Sequence, residues 1–318
     1  MPVINLRLAG ILVAFLLGGA APALAQSCSF SMTDMVFPNI SDASGSGVLG
    51  SATLTANCSG SGYSTVMICP NIGGGGGGET SSGGRYMANG ANKLEYQLYS
   101  DSARSVIWGS NIWPYAPLPP KLTVTLGLFG SGSKSWPVYG RVMSGQIVPE
   151  GTYLSAFSSG HVSFRTQYNS SYGCGKPSQG SVSTSQPDFT VRAVVERACS
   201  VSAVDMDFGT KGVLDGAADA TGQVRVTCSQ STPYEIGLVV PSGETAAART
   251  MSKGSETVQY GLYKDAGRTA PWGDAGSQLM TGTGSGTQQA LTVYGRVPPQ
   301  TTPSAGVYTD TVVVNVTY

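Results

Sequence analysis

Hydrophobic and polar residues alternate with a period of two along much of this chain. Leu122, Val124, Leu126 and Leu128 share one parity, with Thr123, Thr125 and Gly127 between them. Val312, Val314, Val316 and Tyr318 repeat the pattern at the end of the sequence, and His161–Tyr168 follows it less cleanly. Phe189, Val191, Ala193 and Val195 form a further alternating run. Successive side chains of a strand point to opposite faces, so these runs predict half-buried antiparallel strands. Beyond residue 25 no stretch carries a helical period. Short strands broken by Gly, Ser and Thr predict an all-β chain built of sandwiches.

The pattern occurs twice. Tyr96-Gln97-Leu98-Tyr99-Ser100-Asp101 returns as Tyr260-Gly261-Leu262-Tyr263-Lys264-Asp265, Arg104 as Arg268, and Trp108-Gly109 as Trp272-Gly273, all at one interval. Val138-Tyr139-Gly140-Arg141-Val142 returns as Val293-Tyr294-Gly295-Arg296-Val297, and Gly151-Thr152-Tyr153 as Gly306-Val307-Tyr308, at a second, shorter interval. One domain is used twice, and the first copy carries extra chain between Trp108 and Val138. Residues present in both copies belong to the fold: Asp101 and Arg104 are expected to pair at a turn, and Trp108 to anchor the core.

Arg7 is followed by the apolar run Leu8–Gly19 and by small residues ending Ala23-Leu24-Ala25. This predicts a secretory leader over residues 1–25, too short in its apolar part to span a membrane. The expected organisation is then a first domain over 26–175, a Ser/Gly/Pro-rich linker over 176–187, a strand segment over 188–198 and a second domain over 199–318. Without its leader the chain has 17 basic and 18 acidic residues, because the leader holds one Arg and no acid. Nothing in that balance steers toward nucleic acid or anionic membranes. Export places the six cysteines in an oxidising compartment, where they are expected to form three disulfides. The repeat pairs Cys28 with Cys58 and Cys199 with Cys228, which are nearly equally spaced, and leaves Cys69 for Cys174. Their spacing does not suit zinc, and no metal or cofactor is expected.

Catalytic chemistry finds little support. His161 is the single histidine and no G-x-S-x-G elbow occurs, so an envelope enzyme is disfavoured. Gly73–Gly78 lacks the G-K-[ST] of a phosphate loop and is expected to be a mobile surface loop. The extra chain of the first copy is more distinctive. Ile112-Trp113-Pro114-Tyr115-Ala116-Pro117-Leu118-Pro119-Pro120 is stiffened by prolines that exclude it from a central strand. Phe129 to Trp136 places aromatics around a flexible tip, and Met143 to Pro149 carries apolar residues that the second copy lacks. Converging at one end, these loops would form an exposed apolar patch. The candidate surface-binding residues are Trp113, Tyr115, Leu118, Phe129, Trp136 and Ile147. Aromatic faces beside Asn89, Asn92 and Asn111 offer the alternative of a sugar-binding site.

Val195-Glu-Arg-Ala-Cys-Ser-Val-Ser-Ala-Val-Asp-Met-Asp-Phe-Gly209, Tyr260 to Asp274, Leu291 to Pro299 and Gly306 to Tyr318 resemble the spore coat protein U family. The likeness is close over Val191–Tyr318 and looser over Ser27 to about Tyr168. It implies incomplete immunoglobulin-like, pilin-type sandwiches exported through the periplasm as subunits of chaperone–usher pili. The two-domain layout resembles a tip adhesin at the cell surface. Expected partners are a periplasmic chaperone, an outer-membrane usher, the next pilin subunit by donor-strand exchange, and an abiotic or host surface. On that resemblance Phe189, Val191, Ala193 and Val195 complete the first domain in cis. Val312, Val314, Val316 and Tyr318 edge a second groove left for a strand from outside. A coat component assembled on a spore or cyst, or a minor pilin, is the further alternative.

Overall fold

The computed structural model describes residues 25–41, 47–170, 173–176 and 180–318. Most of the expected leader lies outside the described residues. Strands β1 (Ser27–Met32), β2 (Met35–Val36), β3 (Leu49–Ser59), β4 (Thr65–Ile72), β5 (Arg85–Asn89), β6 (Asn92–Tyr99), β7 (Leu122–Thr125), β8 (Ser131–Val142), β9 (Gly151–Phe157), β10 (Val162–Tyr168), β11 (Ser181–Val182) and β12 (Phe189–Val195) build the first unit. Strands β13 (Cys199–Val204), β14 (Ala218–Cys228), β15 (Pro233–Leu238), β16 (Arg249–Lys253), β17 (Glu256–Tyr263), β18 (Met280–Thr283), β19 (Gln288–Val297) and β20 (Val314–Thr317) build the second. Each unit is a pilin-type sandwich with its own core.

The first unit faces an eight-stranded sheet, ordered β1-β3-β8-β6-β5-β9-β12-β2, with a four-stranded sheet, β11-β10-β4-β7. The second faces β13-β14-β19-β17-β16 with β18-β15-β20. Alternation explains the layers. In β1, Cys28, Phe30 and Met32 point inward while Ser27, Ser29 and Ser31 point out. Trp108 and Trp272 are buried at matching places, and each indole N–H donates to a carbonyl across the core, of Pro70 at 2.9 Å and Ile236 at 3.0 Å.

Strand β12 lies between β9 and β2, antiparallel to the first from Phe189↔Phe157 to Val195↔Gly151 and parallel to the second at Val191↔Met35. Phe189, Val191, Ala193 and Val195 all turn into the first core and are at most 4% exposed. Burying its three larger side chains contributes roughly 5–9 kcal/mol. Fixing seven backbone residues costs roughly 7–14 kcal/mol, so ladder bonds on both edges are needed to hold the strand. Covalent attachment to the same chain also keeps it at high effective concentration.

The disulfides are Cys28–Cys58, Cys69–Cys174 and Cys199–Cys228. The first and last join directly opposed residues of neighbouring strands, which is why they recur in both units. Three local expectations are corrected. Arg104 makes no ion pair with Asp101. The Asp101 carboxylate accepts from the amides of Ser105 and Val106, at 3.0 and 2.7 Å, while the Arg104 side chain donates to the carbonyls of Gly140 and Gly50 at 3.0 and 3.2 Å. Within the linker, Ser181-Val182 pairs with β10 and Gln186 holds the Phe164 amide at 2.8 Å, so its later part is docked on the first unit. Gly73–Gly78 is held, not loose: Gly73, Gly74, Gly75 and Gly77 are buried, while Gly76 and Gly78 face solvent. Gly75 has φ +68°, and a Cβ there would overlap the Ser155 hydroxyl; one at Gly77 would overlap the Tyr86 carbonyl.

The Asp101 turn carries a pH prediction. Amide donation, first from Val106, holds Asp101 below the usual carboxylate range, and Ala270 does the same for Asp265. A lowered folded-state pKa contributes stability present above the unfolded value and lost as pH falls through the folded one. Asp101→Asn and Asp265→Asn are therefore expected to lower the urea midpoint near neutrality but not at about pH 2. Equal losses at both pH values would show that geometry, not charge, matters at these turns.

Candidate functional site

The three apolar loops of the first unit do not converge. The turn bearing Phe129 precedes β8, and the loop bearing Ile147 follows it. Twelve residues of strand place them roughly 35–40 Å apart. Ile147 lies at the junction between the units, against Gly286, where Pro149 bridges to Gln230 and Arg197 pairs with Glu150. The Trp113 ring lies against Gly73, just past one end of β4, while the Phe129 turn adjoins the other end through Leu126 and Ser64. The candidate set thus divides. Tyr115 is 2% exposed and serves the fold. Its ring covers the buried Arg85 guanidinium, 4.0 Å from the centroid, and its hydroxyl donates to Glu79. Burial pushes its phenol pKa up, followed by the Glu79 hydrogen bond. Trp113 and Trp136 are half-buried, the latter packed on the core, and Leu118 stands exposed on the proline-rich loop.

Arg85 explains why the proline-rich loop folds inward. It donates to the carbonyls of Gly73, Ile72 and Trp108 at 2.9, 2.8 and 3.1 Å and to Gln97. Its counterpart Arg249 donates to Val239 and Leu238, both at 2.7 Å, without an overlying aromatic ring. The polar residues proposed for sugar do not gather either. Asn89 and Asn92 face each other in the β5–β6 hairpin, and the Asn111 side chain donates to the Cys174 carbonyl at 2.6 Å.

One apolar pole does exist, away from the junction. The turn before β4 and the turn before β8 are joined by the Tyr63 amide donating to the Gly127 carbonyl at 3.2 Å. Tyr63, Leu128 and Phe129 project from them with exposures of 74%, 61% and 87%. Tyr63 holds φ +56°, an uncommon value for a bulky side chain. Phe129 was legible from sequence. Leu128 is expected from the alternation on the inward face of a strand, but the strand ends at Thr125 and leaves Leu128 exposed, and Tyr63 carries no such signal in the sequence.

The second feature is a groove in the second unit. In the first unit Met35, Phe37, Tyr153 and Phe157 flank β12 on either side in its sheet and are at most 2% exposed. Their counterparts Met206, Phe208, Tyr308 and Val312 are only partly buried and line a groove of about 410 Å³. Residues 306–312, which match β9, make one bridge, Thr309 with Ser252, and no ladder. Val312 and Val314 line the groove. Val316 pairs with Ile236 and packs on the second core, and Tyr318 is half-exposed beyond it, so neither lines the opening as expected. Met206 and Phe208 were readable from sequence, since Met206-Asp207-Phe208 mirrors Met35-Val36-Phe37.

Among known proteins, Protein U of Myxococcus xanthus is 30% identical over 159 residues, spanning 44% of this chain and 89% of that protein. Among solved structures, the CsuC–CsuE chaperone–tip adhesion subunit pre-assembly complex from archaic chaperone-usher Csu pili of Acinetobacter baumannii superposes with a TM-score of 0.51 at 18% identity. It covers 92% of this chain and all of that one, and shows a shared fold. The CupB6 tip adhesin of Pseudomonas aeruginosa matches at 11% identity and a TM-score of 0.42, over 92% of this chain and 94% of its own. The Spore Coat Protein U domain model matches residues 15–158 and 186–315, once for each sandwich unit. The chain belongs to the spore coat protein U domain family.

Proposed function

We propose that this chain is a pilus adhesin of the chaperone–usher type, exported through the periplasm and carried at the pilus tip, where it promotes surface attachment and biofilm formation. The observation that carries this reading is the asymmetry between the units. The groove of the first is filled by β12 of the same chain, while the equivalent groove of the second is open. A unit closed in cis is complete and free to meet a surface. An open unit with exposed apolar lining needs a strand from outside, which a periplasmic chaperone and then the next pilin subunit supply at the usher. Phe189, Val191, Ala193 and Val195 are the cis donor residues in this account, and Val312 and Val314 edge the acceptor groove.

The adhesive surface is the pole formed by Phe129, Leu128 and Tyr63. Each apolar side chain covered on contact contributes about 1.5–3 kcal/mol when fully buried, and many pili add avidity. The role is structural and adhesive, not enzymatic. Its test is adsorption of the chain to polystyrene and to clean glass, beside a Tyr63→Ser/Leu128→Ser/Phe129→Ser variant whose fold is checked by circular dichroism. Loss of polystyrene binding by at least about tenfold in the folded variant is expected, since one buried side chain already accounts for that factor. Unchanged adsorption would remove the pole as the adhesive site. Inhibition by free sugars would instead favour a lectin.

A further inference from the structure

The two grooves differ at two inward positions, Ser155/Asp310 and Phe157/Val312, and only the first of these brings in a charge. Residues 151–157 read Gly-Thr-Tyr-Leu-Ser-Ala-Phe, and residues 306–312 read Gly-Val-Tyr-Thr-Asp-Thr-Val, so Asp310 stands where the first unit has Ser155. Ser155 is fully buried, and its cross-strand neighbour on β12 is Val191, equally buried. The Ser155 hydroxyl accepts from the Gly77 amide and donates to the Gly74 carbonyl, both at 3.2 Å. The packed glycine run thus satisfies it, and an apolar strand residue can cover it without loss.

Asp310 is placed differently. It lines the open groove, accepts from the Tyr260 hydroxyl and from the Thr311 amide at 2.7 Å, and is exposed. A carboxylate offers about four acceptor sites, so part of its capacity still faces the space a strand would fill. Burial under an apolar side chain would strip water from that capacity and return nothing.

We propose that Asp310 selects the strand accepted by the second groove, requiring a hydrogen-bond donor of serine or threonine size where β12 carries Val191. This rests on the reading of that groove as a strand acceptor. It follows that the chain's own β12 sequence is a poor occupant of its own second groove. With β12 already held in the first unit, the second groove is left for a strand of different sequence.

The test uses two labelled nine-residue peptides, the sequence of residues 188–196 and its V191T form, titrated by fluorescence anisotropy into the purified full chain and its Asp310→Ser and Asp310→Asn variants. The V191T peptide is expected to bind the unmodified chain about tenfold more tightly, as befits one added hydrogen bond to a charged group. The preference should vanish in Asp310→Ser and shrink in Asp310→Asn, which keeps the size of the side chain if the serine variant folds poorly. Equal affinities for the unmodified chain, or a preference that survives Asp310→Ser, would overturn the role of Asp310 while leaving strand docking intact. No binding of either peptide to any of the three proteins would overturn the acceptor groove itself, and the selection with it.

Discussion

Val191→Asp is expected to unfold the first unit and leave the second standing. Val191 is fully buried between Met35 and Ser155, its neighbours on β2 and β9. The buried Arg85 is already committed to the carbonyls of Gly73, Ile72 and Trp108 and to Gln97, and burying a charge without a partner of its own costs more than about 4 kcal/mol. A domain holds about 5–15 kcal/mol in total, so one substitution consumes much or all of it. The second core contains none of the residues β12 packs against. Trp108, Trp113 and Trp136 belong to the first unit and Trp272 to the second. Near-ultraviolet circular dichroism should therefore lose the signal of three of the four tryptophans, with the Trp272 contribution remaining. Arg192→Ala, one residue along on the exposed face, should change stability by no more than about 0.5 kcal/mol. Equal behaviour of the two variants would mean that β12 is not part of the cooperative core.

Removing the Cys69–Cys174 disulfide is the second large effect expected. It closes 105 residues, against 30 for Cys28–Cys58. The chain-entropy relation assigns about 4.7 kcal/mol to the longer loop and about 3–4 kcal/mol to the shorter. In a unit of this size Cys69→Ala/Cys174→Ala should lower Tm by roughly 10–20 °C, more than Cys28→Ala/Cys58→Ala. The effect has a local part too. Cys174 lies beside Met67 and Cys69 in a small satellite cluster, and its carbonyl holds Asn111 at the start of the proline-rich loop. The double variant should expose Trp113, seen as a red shift in emission. A loss smaller than that for Cys28–Cys58 would mean that the unfolded first unit is already compact without the long crosslink.

On the proposed reading, the groove of the second unit corresponds to the place β12 fills in the first, and Asp310 lines it. Tyr260 carries a pKa pushed up by burial and then by its hydrogen bond to Asp310. A strand laid over the pair would bury both further. The polar couple is tolerable in an open groove and would be demanding under a strand, which is the physical basis of the proposed selection.

Much of the fold was legible in the sequence for one reason: its signals are local or repeated. Period-two alternation marked β7, β12 and β20, and cysteines opposed across adjacent strands recurred at matching places in both copies. The repeat of Trp108 as Trp272 marked a core position, because a residue needed twice in different surroundings is needed by the fold. The β12 run was distinguishable because its four apolar positions, Phe189, Val191, Ala193 and Val195, alternate without a break. Tertiary structure alone decided where the loops stand. Tyr115 reads as a surface aromatic, but the buried Arg85 guanidinium needs its ring and draws it inside. The glycine run reads as a free loop, yet Ser155 and Phe157 approach Gly75, and Tyr86 approaches Gly77, so closely that a side chain would not fit there. Ile147 and Phe129 read as neighbours in one patch, yet the length of β8 holds them at opposite ends. Alternation records which face a residue takes. It does not record which distant residues share that face, because strand register and sheet order, set by non-local pairing, determine those distances.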